Sequence, residues 1–163
     1  MISKTIAQVS AIFYDFDGVM TDNTVSLDEN GVESVRVNRS DGLAISELTK
    51  RGFLQYIFST ENNLVVSVRA KKLGIPCLQG LEDKKLALLK YCSDHKINPK
   101  ECAFVGNDIN DLEVMQEAGF SFCPADAHSE IKSISRVVLE TKGGHGVIRE
   151  ILDLIIEKKI INK

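Results

Sequence analysis

The chain has 163 residues, a mass of 18.0 kDa and a formal net charge of −3 at pH 7. We expect a single domain, residues 1–163, because a chain of this length can bury roughly 70% of the surface that its unfolded form exposes. The charge and the lack of basic or aromatic clusters exclude a nucleic-acid-binding surface, since neutralising several phosphates requires a stripe of Lys or Arg.

No apolar run approaches 18 residues and no signal-peptide pattern is visible, so we expect a cytoplasmic protein without membrane contact. The cysteines show no paired spacing, which favours buried, reduced thiols. They are Cys77, Cys92, Cys102 and Cys123.

The first element is a short apolar run, Ile12 to Tyr14, that is followed at once by Asp15, Asp17 and Gly18. This pattern predicts a buried parallel strand that ends in a turn. If the strand ends at Asp15, both carboxylates can converge just beyond its carboxyl end, which is where open α/β sheets bind ligands. The alternative for a bare D-x-D sequence is a strand end with two solvated acids.

Two carboxylates at one point repel each other, so the pair implies a hard cation such as Mg²⁺. With the cation bound, Asp15 can stay ionised and act as a nucleophile toward a phosphoryl group. Asp17, which is less neutralised, can then cycle a proton as general acid and base.

The next segment, Thr24 to Val37, alternates around Asn30-Gly31 and predicts a β-hairpin. Its apolar face needs a partner surface, and packing on its own domain is as well supported by the pattern as packing on another subunit. A helix that ends before Gly52 follows the hairpin.

Strands and helices alternate through the rest of the chain. This order predicts an α/β fold, a Rossmann-like parallel sheet with helices on both faces, in which the β-hairpin is the one insertion. The predicted strands are 53–58, 77–78, 103–105, 120–123 and 137–139, and the predicted helices are 62–73, 83–95, 112–118, 129–133 and 146–161.

Polar residues stand beside several of these elements. Ser59 follows a strand and can donate to a phosphate oxygen, although a helix N-cap is the simpler alternative. Lys84 stands in the first turn of a helix, where the dipole disfavours a cation unless an anion compensates. It can anchor a transferred phosphoryl group, with a solvated surface lysine as the alternative.

The segment Asp15 to Asp22, D-F-D-G-V-M-T-D, resembles the first motif of the haloacid dehalogenase superfamily of aspartate-nucleophile phosphohydrolases. The family pattern continues with Ser or Thr, then Lys, then an acidic cluster, and Ser59, Lys84 and residues 107–111 follow in that order. The resemblance implies phosphate binding by Ser59.

The acidic cluster departs from the family pattern at one position. Asn107 follows Gly106, where the family commonly has an aspartate that ligates Mg²⁺. An amide oxygen carries no charge, so the affinity for Mg²⁺ should fall, or Asp108 could reach the metal instead. Asp111 resembles an outer acid that orients Lys84 or a metal-bound water.

The chain lacks room for a cap domain and resembles the capless branch that hydrolyses 3-deoxy-D-manno-octulosonate 8-phosphate or nonulosonate 9-phosphates. The shared stretches are D-F-D-G-V-M-T-D, N-x-S-D-G, Q-G-x-x-D-K and G-G-H-G-V-I-R-E. Glu61, Arg69 and Lys72 could recognise sugar hydroxyls and a carboxylate, and Glu61 favours the nonulosonate. An ordinary charged helix face is the alternative.

In this branch a neighbouring subunit covers the site, which implies a homotetramer in which the hairpin lies over another copy. A similar domain in animal sialate cytidylyltransferases, which also has Asn after the glycine, leaves a non-catalytic assembly module as the alternative function. The resemblance further implies that residues near both ends of the chain close the site around a small sugar-acid phosphate. They are Asn38, Ser40, Asp41, Gly42 and Arg149.

Overall fold

The computed structural model describes residues 6–157 as an α/β fold with a six-stranded parallel sheet. In chain order the strands are β1 (Ala11–Tyr14), β2 (Ser26–Leu27), β3 (Glu33–Ser34), β4 (Leu54–Phe58), β5 (Cys77–Leu78), β6 (Cys102–Val105), β7 (Phe120–Cys123) and β8 (Val137–Val138). The helices are α1 (Arg39–Lys50), α2 (Leu64–Leu73), α3 (Lys84–His95), α4 (Leu112–Glu117), α5 (Ser129–Ile134) and α6 (Val147–Ile156). The predicted fold class is therefore confirmed.

Strand β1 lies at the centre of the sheet, whose order is β5-β4-β1-β6-β7-β8. It pairs in parallel with β4 on one side and with β6 on the other. The chain order reverses at this strand, so the crevice beyond the carboxyl ends of β1, β4 and β6 is the position where such sheets bind ligands.

Helices cover both faces of the sheet, and the period of two along β1 divides its side chains between two apolar cores. Ile12 and Tyr14 join one core, while Ala11 and Phe13 join the other. Each large apolar side chain buried in these cores contributes about 1.5–3 kcal/mol. The first core is completed by α1, α2 and α6 (among others Ile45, Val66 and Ile151), and the second by α3, α4 and α5 (among others Leu88, Val114 and Ile131).

The predicted hairpin forms, but its two strands are only two residues long and pair antiparallel apart from the main sheet. Val35 and Val37 at its base pack against the first core. Val25, Leu27 and Val32 of the hairpin are exposed by 54%, 67% and 61%. The hairpin therefore presents an apolar surface that its own domain does not cover.

Two expectations about burial and length are met in part. Three of the four cysteines are buried, Cys77 is partly buried, and all four are free thiols. The predicted helix 146–161 is observed as α6 as far as Ile156, and its last residues lie outside the described part.

Within residues 6–157, none of the helices is both long and apolar enough to span a membrane.

Asp41 joins the first turn of α1 to the N-terminus of α6. Its side chain is buried, and Oδ1 accepts hydrogen bonds from the backbone N–H groups of Ile148 (3.0 Å) and Arg149 (3.1 Å). Gly146, which precedes α6, offers no side chain to cap it. Burial raises the pKa of Asp41 to about 6, although the two backbone hydrogen bonds and Arg69 oppose the rise.

We expect Asp41 to make folding pH-dependent. A carboxyl whose pKa is higher in the folded state stabilises the fold below its unfolded pKa near 4, and that contribution is lost as the pH rises through about 6. The free energy of unfolding of Asp41→Asn, minus that of the wild type, should therefore increase by about 2 kcal/mol between pH 4 and pH 7. Urea unfolding of both proteins measures this difference, and a constant difference across the range would contradict the assignment.

Candidate active site

A cavity of about 370 Å³ opens beyond the carboxyl ends of the central strands. It receives residues from the loops after β1, β4 and β6, and hairpin residues form part of its wall. Its polar lining includes Asp15, Asp17, Thr60, Glu61, Asn107 and Asp108. The parallel topology thus gathers at one point side chains that are far apart in the sequence.

The loop after β1 turns sharply at the aspartates. The Asp15 N–H still bonds to the carbonyl of Val105 in β6, whereas Asp15 Oδ1 already accepts the N–H of Phe16 at 2.8 Å. Thr21 Oγ1 then accepts the N–H of Gly18, whose φ of +82° suits glycine. Strand β1 ends at Tyr14 and the turn begins at Asp15, so both carboxylates reach the same cavity.

The G-G-H-G stretch at residues 143–146 packs against this turn. A Cβ on Gly143 would lie 2.1 Å from the carbonyl oxygen of Gly18, so only glycine fits at this position. The Gly143 N–H donates to Asp126 Oδ1, and the Gly144 N–H donates to the Val19 carbonyl. The motif therefore fixes the backbone that carries the aspartates.

Lys84 is a buried cation between two carboxylates. Its Nζ lies 2.8 Å from Asp15 Oδ1 and 2.7 Å from Asp111 Oδ1, and its side chain is 1% exposed. Burial alone would lower the pKa of Lys84, but the two carboxylates outweigh burial and raise it. The lysine therefore stays charged, and the anions that its position in the first turn of α3 requires are Asp15 and Asp111.

Asp111 joins this ion pair to the loop after β6. Its Oδ1 bonds to Lys84, in agreement with the prediction that it orients this lysine, and its Oδ2 accepts the N–H of Asn107 at 2.9 Å. A Cβ on Gly106 would lie 2.6 Å from the Asp111 Cβ, so the glycine leaves room for the carboxylate. Lys84 and Asn107 are consequently held by the same side chain.

The pKa values of Asp15 and Asp17 are raised. Burial raises the pKa of Asp15 to about 8, Asp111 adds to the rise, and Lys84 opposes it. Burial also raises the pKa of Asp17, and the neighbouring Glu61 adds to it. The raised pKa makes Asp17 hold a proton more readily than an ordinary aspartate, which suits a general acid.

Three polar atoms converge beside Asp15 in a way that fits a divalent cation. The amide atom of Asn107 that faces the aspartates lies 2.8 Å from the Asp17 carbonyl oxygen and 3.1 Å from Asp15 Oδ2. Neighbouring oxygens in the octahedral shell of Mg²⁺ are roughly 2.9 Å apart, so an Asn107 oxygen turned to this place would offer the third of three ligand positions. Asp17 would contribute its backbone carbonyl, which leaves its carboxylate free.

Asp108 has a different role in the geometry. Its Oδ1 accepts the N–H of Ile109 at 2.7 Å and caps the short 3-10 helix Ile109–Asp111. Among the residues that the structure describes, no group of three or more His, Cys, Asp or Glu side chains could hold a metal ion. A site built from one carboxylate, one carbonyl and one amide agrees with that finding.

Ser59 is buried at the end of β4, where its Oγ accepts the N–H of Glu61 at 3.1 Å. Thr60, the residue after it, lines the cavity. The hydroxyl of Ser59 thus shapes the loop that carries Thr60 and Glu61. Its predicted contact with a phosphate oxygen stays a prediction.

The other predicted substrate residues do not line this cavity within one chain. Asn38 caps α1 by accepting the N–H of Ser40, and Arg69 donates to the Asn38 carbonyl at 2.9 Å. Arg149 pairs with Asp153 on α6. Arg69, Lys72 and Gly42 line a separate groove between α1 and α2. Asp41 is buried against α6, so its contact to substrate, like those of the others, stays a prediction.

Two residues in the wall were not expected at the site. Glu33 of β3 accepts a hydrogen bond from Asn63 Nδ2, and this contact joins the hairpin to the start of α2. Both residues line the cavity. The alternation of the hairpin indicates which residues share a face, but it contains no signal for the element on which the hairpin folds back.

The haloacid dehalogenase-like hydrolase family matches residues 54–151. The chain belongs to this family. A relative of this hydrolase, the 3-deoxy-D-manno-octulosonate 8-phosphate phosphatase of Yersinia pestis, is 32% identical over 156 residues, which cover 95% of this chain and 83% of that protein.

Two solved structures of the family show the same fold. The first, a Streptomyces avermitilis protein described as a hydrolase of this family, has a TM-score of 0.91 and 41% identity, and covers 96% of this chain and 90% of that one. The second is the 3-deoxy-D-manno-octulosonate 8-phosphate phosphatase of Moraxella catarrhalis in complex with magnesium, phosphate and the sugar acid. It has a TM-score of 0.89 and 29% identity, and the match covers 93% of this chain and 88% of that one.

We expect Asn107→Asp to bind Mg²⁺ at least about tenfold more tightly than the wild type, because it adds an anion beside a divalent ion and tenfold corresponds to only 1.4 kcal/mol. Asp108→Asn should leave the affinity unchanged, because its carboxylate caps Ile109. Titration calorimetry with MgCl₂ measures both. If Asp108→Asn abolishes binding while Asn107→Asp changes nothing, Asp108 is the ligand.

Proposed function

We propose that this hydrolase is a Mg²⁺-dependent phosphatase that removes phosphate from a keto sugar-acid phosphate through an aspartyl-phosphate on Asp15. The observation that carries the proposal is the position of the Asp15 carboxylate between buried Lys84 on one side and the Asp17 carbonyl and the Asn107 side-chain amide on the other. The relatives from Yersinia and Moraxella support the substrate class by their names. The candidate substrates are a nonulosonate, sialic-acid-type 9-phosphate and 3-deoxy-D-manno-octulosonate 8-phosphate.

In the first half-reaction the Asp15 carboxylate attacks phosphorus, and the bond between phosphorus and the sugar oxygen breaks. Asp17 gives its proton to the departing oxygen, which its raised pKa allows. Lys84 offsets the negative charge that Asp15 and the phosphoryl oxygens bring together. Bound to Asp15, the Asp17 carbonyl and Asn107, Mg²⁺ would supply further charge neutralisation of the phosphoryl oxygens.

In the second half-reaction Asp17 works in the opposite direction. Its carboxylate takes a proton from the water that attacks phosphorus, and the bond from phosphorus to the Asp15 oxygen breaks. Phosphate leaves and Asp15 is ionised again. The same side chain therefore serves both steps, which is why its proton affinity must lie close to the working pH.

Binding of a substrate carboxylate requires a cation, and within residues 6–157 of one chain no Lys or Arg lines the cavity. Glu61 and Glu33 line its outer wall, whereas Arg69, Lys72 and Arg149 lie in other grooves. Together with the exposed apolar side chains of the hairpin, this supports the homotetramer, in which a neighbouring copy covers the cavity and supplies the missing positive charge.

Substitution of the two aspartates tests the mechanism. Asp15→Asn should lower turnover by about 10³-fold or more because it removes the nucleophile. Asp17→Asn should slow both half-reactions by about 10²–10⁴-fold because it removes the proton carrier. Phosphate release from a panel of sugar-acid phosphates, with and without Mg²⁺, measures these effects. Wild-type rates in either variant would rule out the mechanism, and a lack of turnover on the whole panel would favour the assembly module.

A substitution in the hairpin tests the proposed homotetramer. Leu27→Asp places a charge on an exposed apolar side chain outside the cavity lining, so the isolated fold should be unaffected. We expect the variant to sediment as a smaller species than the wild type and to lose activity, with Glu29→Asp in the hairpin loop as the matched control. A wild-type protein that sediments as a fully active monomer contradicts the tetramer.

A further inference from the structure

The side-chain amide of Asn107 has two orientations, and only one of them satisfies its hydrogen-bonding groups in the protein alone. With the nitrogen toward the aspartates, it donates to the Asp17 carbonyl oxygen at 2.8 Å and to Asp15 Oδ2 at 3.1 Å, and the amide oxygen faces donors. With the oxygen toward the aspartates, it faces only acceptors, the Asp17 carbonyl oxygen and Asp15 Oδ2. The first orientation suits the free protein, and the second suits a cation.

We propose that Asn107 is a two-position residue that donates to Asp15 and Asp17 in the absence of a divalent cation and turns its oxygen to the cation when one binds. The inference rests on the proposed Mg²⁺ site. The change is a half-turn about the last side-chain torsion, which has two roughly equivalent wells in an amide.

The surroundings of Asn107 limit the motion to that torsion. Its backbone N–H donates to Asp111 Oδ2 at 2.9 Å, and its carbonyl accepts the N–H of His128 at 2.8 Å. The residue is 8% exposed. Because the backbone is held on both sides, exchange of the two amide atoms changes the chemistry of the site without a rearrangement of the loop.

The two orientations of Asn107 also explain what an amide offers at this position in place of a carboxylate. An aspartate at position 107 would bring a second carboxyl against Asp15 in place of the amide donor. The free protein would then have to hold an extra proton between the two carboxyls or keep two like charges together, and either one opposes folding near neutral pH. With Asn107 the free site is already hydrogen-bonded, so loss of the cation costs the fold little.

Thermal unfolding in EDTA tests this directly. Asn107→Asp should unfold about 5 °C or more below the wild type without a cation, and saturating MgCl₂ should raise its Tm by more than that of the wild type. Asn110→Asp adds the same charge at another residue of the cavity wall and should behave as the wild type in EDTA. Equal Tm values for Asn107→Asp and the wild type in EDTA would overturn the proposal.

The wild-type protein gives a second test that needs no variant to be stable. In ¹H–¹⁵N spectra the side-chain amide signal of Asn107 should show slow hydrogen exchange in EDTA, and faster exchange with a shifted position once MgCl₂ saturates the site. Slow exchange that persists unchanged while backbone signals of Asp15 and Gly18 respond to Mg²⁺ would overturn it. If no signal responds to Mg²⁺, the proposed metal site is wrong. The Tm values of Asn107→Asp and the wild type in EDTA then still test whether the Asn107 nitrogen donates to Asp15 and Asp17 in the free protein.

Discussion

The contact on which the rest of the site depends is the buried ammonium group of Lys84 between Asp15 and Asp111. It joins the end of β1, the loop after β6 and the first turn of α3, so a single cation positions three elements. Loss of one partner from a buried pair leaves an uncompensated charge and typically costs 3–5 kcal/mol. The geometry that would serve catalysis is therefore also important for folding, and Asp15 keeps its position because both the sheet and Lys84 hold it.

The charge of the site follows from this arrangement. Lys84 offsets part of the negative charge of Asp15 and Asp111, and a bound divalent cation would offset more. An aspartate in place of Asn107 would add a negative charge beside that cation. Under the proposed function, the neutral amide would weaken binding of the cation but would also lessen the repulsion of a phosphate dianion.

Local signals in the sequence predicted most of the fold but not all of the site. Apolar runs gave the strands, and α2 and α3 start one or two residues later than predicted because Asn63 and Asp83 cap them. Parallel topology placed Asp15 and Asn107 together, since both follow central strands. The sequence did not predict that Asp41 bonds to the start of α6 or that Glu33 bonds to Asn63. In the first contact the partners are separated by 107 positions in the chain and in the second by 30, and no local pattern signals contacts of that separation.

The central claim is covalent catalysis by Asp15, and reductive trapping tests it most directly. Borohydride converts an aspartyl-phosphate to homoserine, so protein that is mixed with a sugar-acid phosphate and MgCl₂ and then reduced can be analysed by peptide mass spectrometry. The account predicts homoserine at the Asp15 position, only when both substrate and Mg²⁺ are present. Homoserine at another aspartate, or none during measurable turnover, would contradict it.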